Sequence, residues 1–170
     1  MANATPTLTE NHRPKWLPDM KPQLEFAFQT RVFTVPARRL GDLHGSGVRL
    51  SVGVAGGDAQ GPRLKATILP GGTEWPLIRP DGVDAIDARY SMETDDGVLI
   101  NIRNTGYRVI PPELKPKLMT ELIDANSYYF RTYSVFEAPV GKYDWLTRHV
   151  FIGIGERHPE LLYLWYYQLL

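Results

Sequence analysis

The sequence contains no cysteine, which excludes a disulfide framework, a thiolate nucleophile and a thiolate metal site. It also lacks any apolar run near the roughly 20 residues that cross a bilayer as a helix. Residues 1–20 hold no hydrophobic stretch that would serve as a secretory signal, so a cytoplasmic location is expected. A charge excess is missing as well. Nineteen basic residues balance nineteen acidic ones, so no global field draws in nucleic acid or an anionic membrane, and neither is expected as a partner.

The familiar cofactor and nucleophile motifs are absent too. His12, His44, His149 and His158 form no His-Glu-x-x-His and no pair at helical or strand spacing, so no metal is expected. Gly153-Ile-Gly155 lacks the third glycine and following helix of a dinucleotide fingerprint. Gly45-Ser46-Gly47 is no nucleophile elbow, and no glycine loop leads into Gly-Lys-Ser/Thr. No cofactor is therefore expected. Carboxylates, tyrosines, arginines and histidine remain, a set suited to proton transfer, hydration, elimination or ring closure on a bound organic molecule.

What is present describes one soluble domain: 170 residues, 43% hydrophobic and 22% charged. Residues 1–22 carry Pro6, Pro14, Pro18 and Pro22 among polar residues and read as a flexible tail, with Trp16-Leu17 able to dock on the body. Residues 23–170 read as the folded domain. Leu24, Phe26 and Phe28 alternate with Glu25, Ala27 and Gln29 at strand period. A strand is expected at 48–54, a glycine-rich bend at 55–62, and further strands at 63–69 and 75–79. Turns fall at Pro70-Gly71-Gly72 and Pro80-Asp81-Gly82. Leu114, Leu118 and Leu122, spaced by four, predict one short amphipathic helix over 111–124, with Pro116 limiting its first turn. Strands resume at 128–137, 148–155 and 162–170. Strands this dense, without alternating helices, predict an all-β sandwich or barrel.

The most informative segment is 87–104, a β-hairpin around Asp95-Asp96-Gly97. Pairing outward from that loop sets Met92 opposite Ile100 and Tyr90 opposite Ile102. The other face carries Asp87, Arg89, Ser91 and Glu93 against Leu99, Asn101 and Arg103. Arg89 falls opposite Arg103, and like charges across a ladder require nearby carboxylates, which Asp87 and Glu93 provide. Such a face is either a solvated wall or a polar site.

Gly61-Pro-Arg-Leu64, Leu69-Pro-Gly-Gly72 with Trp75, Arg79-Pro-Asp-Gly82 and Asp87-Ala-Arg-Tyr90 follow one another along the chain. Glu93-Thr-Asp-Asp-Gly97, Arg103-Asn104-x-Gly106 and Tyr128-Tyr-Phe-Arg-Thr132 come next. Phe136-Glu137, Tyr143-x-Trp-Leu146 and Phe151-x-Gly153 complete the series. In this order they resemble a bacterial and fungal family, domain of unknown function 3237, also called uncharacterised protein family 0311. The resemblance covers roughly Leu24 to Leu170. It implies a single antiparallel β-barrel, similar in outline to calycins or the allene oxide cyclase group, and brings no established reaction. Two departures stand out: the tail before Pro22 is an addition, and His149 replaces a usually uncharged residue.

If the ionic hairpin face points into such a barrel, Asp87 and Glu93 become candidate acid or base, and Arg89, Arg103 and Arg131 stabilise negative charge. Asn101 and Tyr129 would orient the ligand, with Trp75, Tyr143 and His149 as further lining candidates. The expected function is then a cofactor-independent enzyme of lyase or isomerase type. It would act by acid–base chemistry on a small aromatic or polyketide-like molecule held in the barrel. The alternatives are a non-catalytic carrier using the same cavity, or a structural subunit filled by its own side chains. If instead the apolar face fills the barrel, the ionic face meets water. Tyr163, Trp165 and Tyr167 alternate with Leu162, Leu164 and Tyr166 on a strand that barrel closure or a contact in a homo-oligomer should cover.

Overall fold

The computed structural model describes residues 21–170 apart from Met119 and Glu160. The expected tail, including Trp16-Leu17, therefore lies almost wholly outside the described residues.

Among the described residues, eleven strands form one antiparallel sheet that closes on itself. In chain order they are β1 (Leu24–Thr34), β2 (Arg38–Asp42), β3 (Val48–Gln60), β4 (Lys65–Ile68), β5 (Thr73–Glu74) and β6 (Leu77–Ile78). Then follow β7 (Val83–Thr94), β8 (Leu99–Val109), β9 (Tyr129–Glu137), β10 (Phe151–Arg157) and β11 (Leu161–Leu169). Eight staves make the barrel, because β4, β5 and β6 succeed one another between β3 and β7. Closure comes from β1, which pairs with both β11 and β3. β2 extends the start of β3 outside this ring.

The hairpin register is the one that the loop chemistry dictates: Met92 faces Ile100, Tyr90 faces Ile102 and Arg89 faces Arg103. Two local expectations change. The glycine-rich stretch after Val54 is not a bend that ends the strand; β3 runs through it with a shift in register. Gly57, at φ 150, makes this possible, because a Cβ there would lie 1.9 Å from the Arg31 carbonyl oxygen. Residues 112–118 and Thr120 form turns instead of an α-helix. Pro116 supplies no backbone N–H, and its ring crowds the carbonyl of residue 112 that a helix would place before it. The leucine spacing nevertheless does part of its work, since Leu118 and Ile123 pack into the main apolar cluster.

Alternation along each stave fills the barrel. At the end marked by the Asp95–Gly97 loop, Phe28, Phe136, Phe151, Trp145 and Tyr166 make a continuous aromatic cluster. Trp145 and Leu146 reach it from a short 3-10 turn, Asp144–Thr147, between β9 and β10. At the opposite end the connection from β8 to β9 contributes Ile110, Leu118, Ile123 and Tyr128 to the core.

Candidate functional site

Inside the barrel the polarity changes along the axis. The inward positions of β7 and β8 continue from the apolar pair Tyr90–Ile102 through Ala88–Asn104 and Ile86–Gly106 to Asp84–Arg108. A buried acid and a nearly buried arginine thus occupy the phase of the core residues, at the end away from the aromatic cluster. Arg108 donates through Nε (3.0 Å) and Nη2 (2.9 Å) to one oxygen of Asp84. Its guanidinium also lies over the Phe130 ring, 5.5 Å from the centroid.

Glu74, from the two-residue strand β5, enters the same region and is buried. Burial pushes its pKa up, while Arg108 and Arg157 pull it down and Asp84 adds to the rise. The net direction is upward. Arg157 is buried at the end of β10, near Thr34 Oγ1 and the Pro159 carbonyl, each 3.4 Å away. Its backbone N–H donates to the Tyr128 hydroxyl (2.8 Å). Two arginines and two carboxylates balance in charge, which makes so many buried ionisable groups tolerable.

A void of about 20 Å³ separates Glu74 from Tyr90 and Asn104, with Val32, Ile86, Phe130 and Leu162 among its walls. That is room for one water molecule. Below it the hydroxyls of Tyr90 and Tyr166 share a hydrogen bond of 2.9 Å. Burial raises the Tyr90 pKa to about 12 and holds that of Tyr166 well above the ordinary phenol value. Asn104 accepts from Ser134 Oγ (2.7 Å), which fixes its amide. The Thr132 hydroxyl is buried without a hydrogen-bond partner, and Thr30 lies beside the tyrosine pair. Gly155 makes space for the wall of this chamber, since a Cβ there would lie 2.4 Å from Phe130 Cδ1.

The sequence-derived candidates lie elsewhere. Arg89, Glu93, Asn101, Arg103 and Tyr129 are exposed, and Asp87 and Arg131 are half-buried, all on the outer phase of β7, β8 and β9. The conditional inward placement of the ionic face is corrected: with Tyr90, Met92, Ile100 and Ile102 buried in the core, period-2 alternation sends the charges outward. Asp87 lies 3.5 Å from Arg103 Nε and 3.9 Å from Arg89 Nε. Arg89, Asn101 and Arg103 line an external groove of about 760 Å³. Glu93 stands further along β7, opposite Leu99. Arg131 lies over the Tyr129 ring at 5.4 Å, toward the other end of β9.

Trp75 is exposed between β5 and β6, and its carbonyl accepts from Arg49. Tyr143 is buried at the hairpin end, donating 2.7 Å to Asp96 Oδ1. His149 is exposed before β10, with Nδ1 2.8 Å from the Trp145 carbonyl oxygen. The ten candidates therefore do not converge, and the interior set of Glu74, Asp84, Tyr90, Asn104, Arg108, Arg157 and Tyr166 was missed. One signal for it existed: carrying the hairpin register six residues beyond Tyr90 places Asp84 opposite Arg108 on the apolar face. Among the described residues no three His, Cys, Asp or Glu side chains gather so as to hold a metal ion. No helix among them is long and apolar enough to cross a membrane.

A closed antiparallel barrel with an apolar plug at one end and buried ionisable groups at the other defines the class of protein. Residues 22–169 match the family model described as Protein of unknown function (DUF3237), and the chain belongs to that family. A UPF0311 protein of Rhodopseudomonas palustris is 37% identical over 157 residues, 89% of this chain and all of that protein. A β-barrel-like protein of Acinetobacter baumannii superposes with a TM-score of 0.79 at 33% identity, covering 92% of this chain and 100% of that one. A structure described as an enzyme from Penicillium herquei gives a TM-score of 0.69 at 23% identity, over 91% of this chain and 98% of that one. That last likeness is one of fold.

Proposed function

We propose that the protein is an enzyme that carries out acid–base chemistry on a small aromatic or polyketide-like molecule at the polar end of the barrel. The observation that carries this reading is Glu74, a buried carboxyl with a raised pKa beside a void that it shares with Tyr90 and Asn104. A carboxyl whose pKa burial raises above the ordinary glutamate value is suited to give and take a proton. Arg108 and Arg157 supply positive charge where an enolate or phenolate would form. The Tyr90–Tyr166 pair, kept protonated by burial, donates a hydrogen bond and does not act as a base. Phe130 and Ile86 offer an apolar wall to a ring. The reaction class is isomerisation, cyclisation or hydration/dehydration, and needs no external oxidant or reductant. The fungal barrel described as an enzyme supports the reading at the level of the fold.

A void of about 20 Å³ does not admit a metabolite, so the substrate enters by displacing the connection from β8 to β9, whose Ile110, Leu118 and Ile123 pack into the core at this end. Loops of this kind move on microsecond-to-millisecond timescales. The test is turnover of a metabolite library by the wild type and by Glu74→Gln. A loss of about 100-fold or more is expected for the variant, with the fold retained. Full activity of Glu74→Gln on a substrate that the wild type converts would remove Glu74 from the chemistry. Binding without turnover by the wild type would make the barrel a carrier.

A further inference from the structure

The groove on the outer wall is unexplained by chemistry at Glu74. It forms because the stave shared by β4 and β5 is interrupted at Leu69–Gly72, a loop that stands beside the outer faces of β7 and β8. Leu69 and Pro70 make one apolar side of it, and Leu99 and Val135 make another. The last two are more than half exposed, an uncommon state for apolar side chains around an unfilled depression.

Arginines lie along the base. Arg89 and Arg103 are directly opposite on β7 and β8, with side chains 65% and 55% exposed. Asp87 is the carboxylate beside them, and at 3.9 and 3.5 Å it stands beyond hydrogen-bond distance of either Nε. Its Oδ1 is buried without a hydrogen-bond partner. Glu137 faces Asn101, which is held from both sides: Ser91 Oγ donates to Asn101 Oδ1 (2.8 Å) and Asn101 Nδ2 donates to Glu137 (3.0 Å). Two guanidiniums against one loosely placed carboxylate make the Arg89–Arg103 end positive, while Glu137 at the Asn101 end brings the groove as a whole to neutrality. Each guanidinium carries five donors in a fixed fork that matches a planar oxyanion.

From this we infer that the groove is a second binding site, separate from the barrel interior, for a soluble organic carboxylate with a compact apolar body. The carboxylate sits between Arg89 and Arg103, and the body lies against Leu99, Val135 and Leu69. The volume of about 760 Å³ suits a molecule of metabolite size and far exceeds a bare anion. A neutral analogue would leave both arginines without the charge-assisted bonds that orient the ligand.

The test uses 2-naphthoate and its neutral counterpart, 2-naphthylmethanol, titrated into the full chain and followed by calorimetry and by amide shifts in heteronuclear NMR. The naphthoate is expected to bind at least about tenfold more tightly than the alcohol, with shifts confined to β7, β8, β9 and the 69–72 loop. Arg89→Gln and Arg103→Gln should each weaken it about tenfold or more. Val135→Glu, which sets a carboxylate opposite Arg103 in the register, should abolish it. Glu74→Gln, which lines the interior void and not the groove, should leave the affinity within about twofold of wild type. All four positions are read alongside amide dispersion, so a misfolded variant is recognised and set aside. Equal affinity for acid and alcohol, unchanged affinity in both arginine variants, shifts mapping to the interior, or no binding at millimolar ligand would each overturn the inference.

Discussion

Replacing Tyr166 by Phe removes one hydroxyl from a fully buried pair and leaves the other without its partner. Tyr166 is 0% and Tyr90 5% exposed, and their oxygens are 2.9 Å apart. The lost hydrogen bond costs about 1 kcal/mol net, and stranding the Tyr90 hydroxyl brings the total to about 1–3 kcal/mol. For a chain of this size each kcal/mol lowers the melting temperature by about 2–4 °C. Tyr90→Phe should cost a similar amount for the same reason. The double variant removes both groups together and leaves neither stranded, so its cost should fall about 1–2 kcal/mol short of the sum of the two single ones. The pair also governs the alkaline limb. The Tyr90 pKa is raised in the fold to about 12 from an unfolded value near 10. Its contribution is therefore complete below pH 10 and is lost as pH rises through 12, a change of about 3 kcal/mol. Urea titrations of the four proteins at pH 7 give the cycle, and repeating them across the alkaline range gives the limb. Strict additivity at pH 7, or an alkaline limb of wild-type steepness in Tyr90→Phe, would refute the reasoning.

Two further outcomes follow from the chamber. Glu74 has a folded pKa above its unfolded value, so its contribution is full below the ordinary glutamate range and is lost as pH rises through the folded pKa. Glu74→Gln should therefore gain stability relative to wild type as pH rises above the ordinary glutamate range, measured by urea midpoints; parallel curves would contradict the raised pKa. Gly155→Ala places a methyl 2.4 Å from the Phe130 ring and should cost about 1–3 kcal/mol through overpacking. A thermal scan showing no loss would mean that Phe130 moves freely.

The architecture was legible because turn chemistry and period-2 alternation constrain the same residues. Asp95-Asp96-Gly97 fixed the hairpin register, and that register then decided which residues share a face. The side facing inward was not decided by pairing alone, which is symmetric between faces. Burial of Tyr90, Met92, Ile100 and Ile102 settles it in favour of the apolar side, leaving Arg89 and Arg103 outside. Asp84 and Arg108 were within reach of the same reasoning, since they continue the apolar phase of β7 and β8. Glu74 was not: β5 is two residues long, follows the Pro70–Gly72 interruption and is closed off by Pro76, so no periodicity marks its orientation. The 111–124 segment misled for a similar reason. Leucines spaced by four describe which residues pack, but Pro116 removes a backbone bond that would make the spacing helical.

The sharpest contest is between the barrel interior and the outer groove as the seat of chemistry. A crystal structure of the protein with a metabolite that it converts, trapped in Glu74→Gln, decides it. The account predicts the reacting atom within hydrogen-bond distance of residue 74, Arg108 and Arg157 facing the developing negative charge, and the 110–124 connection displaced from the barrel end. A substrate bound only between Arg89 and Arg103, with the interior unchanged, would contradict it.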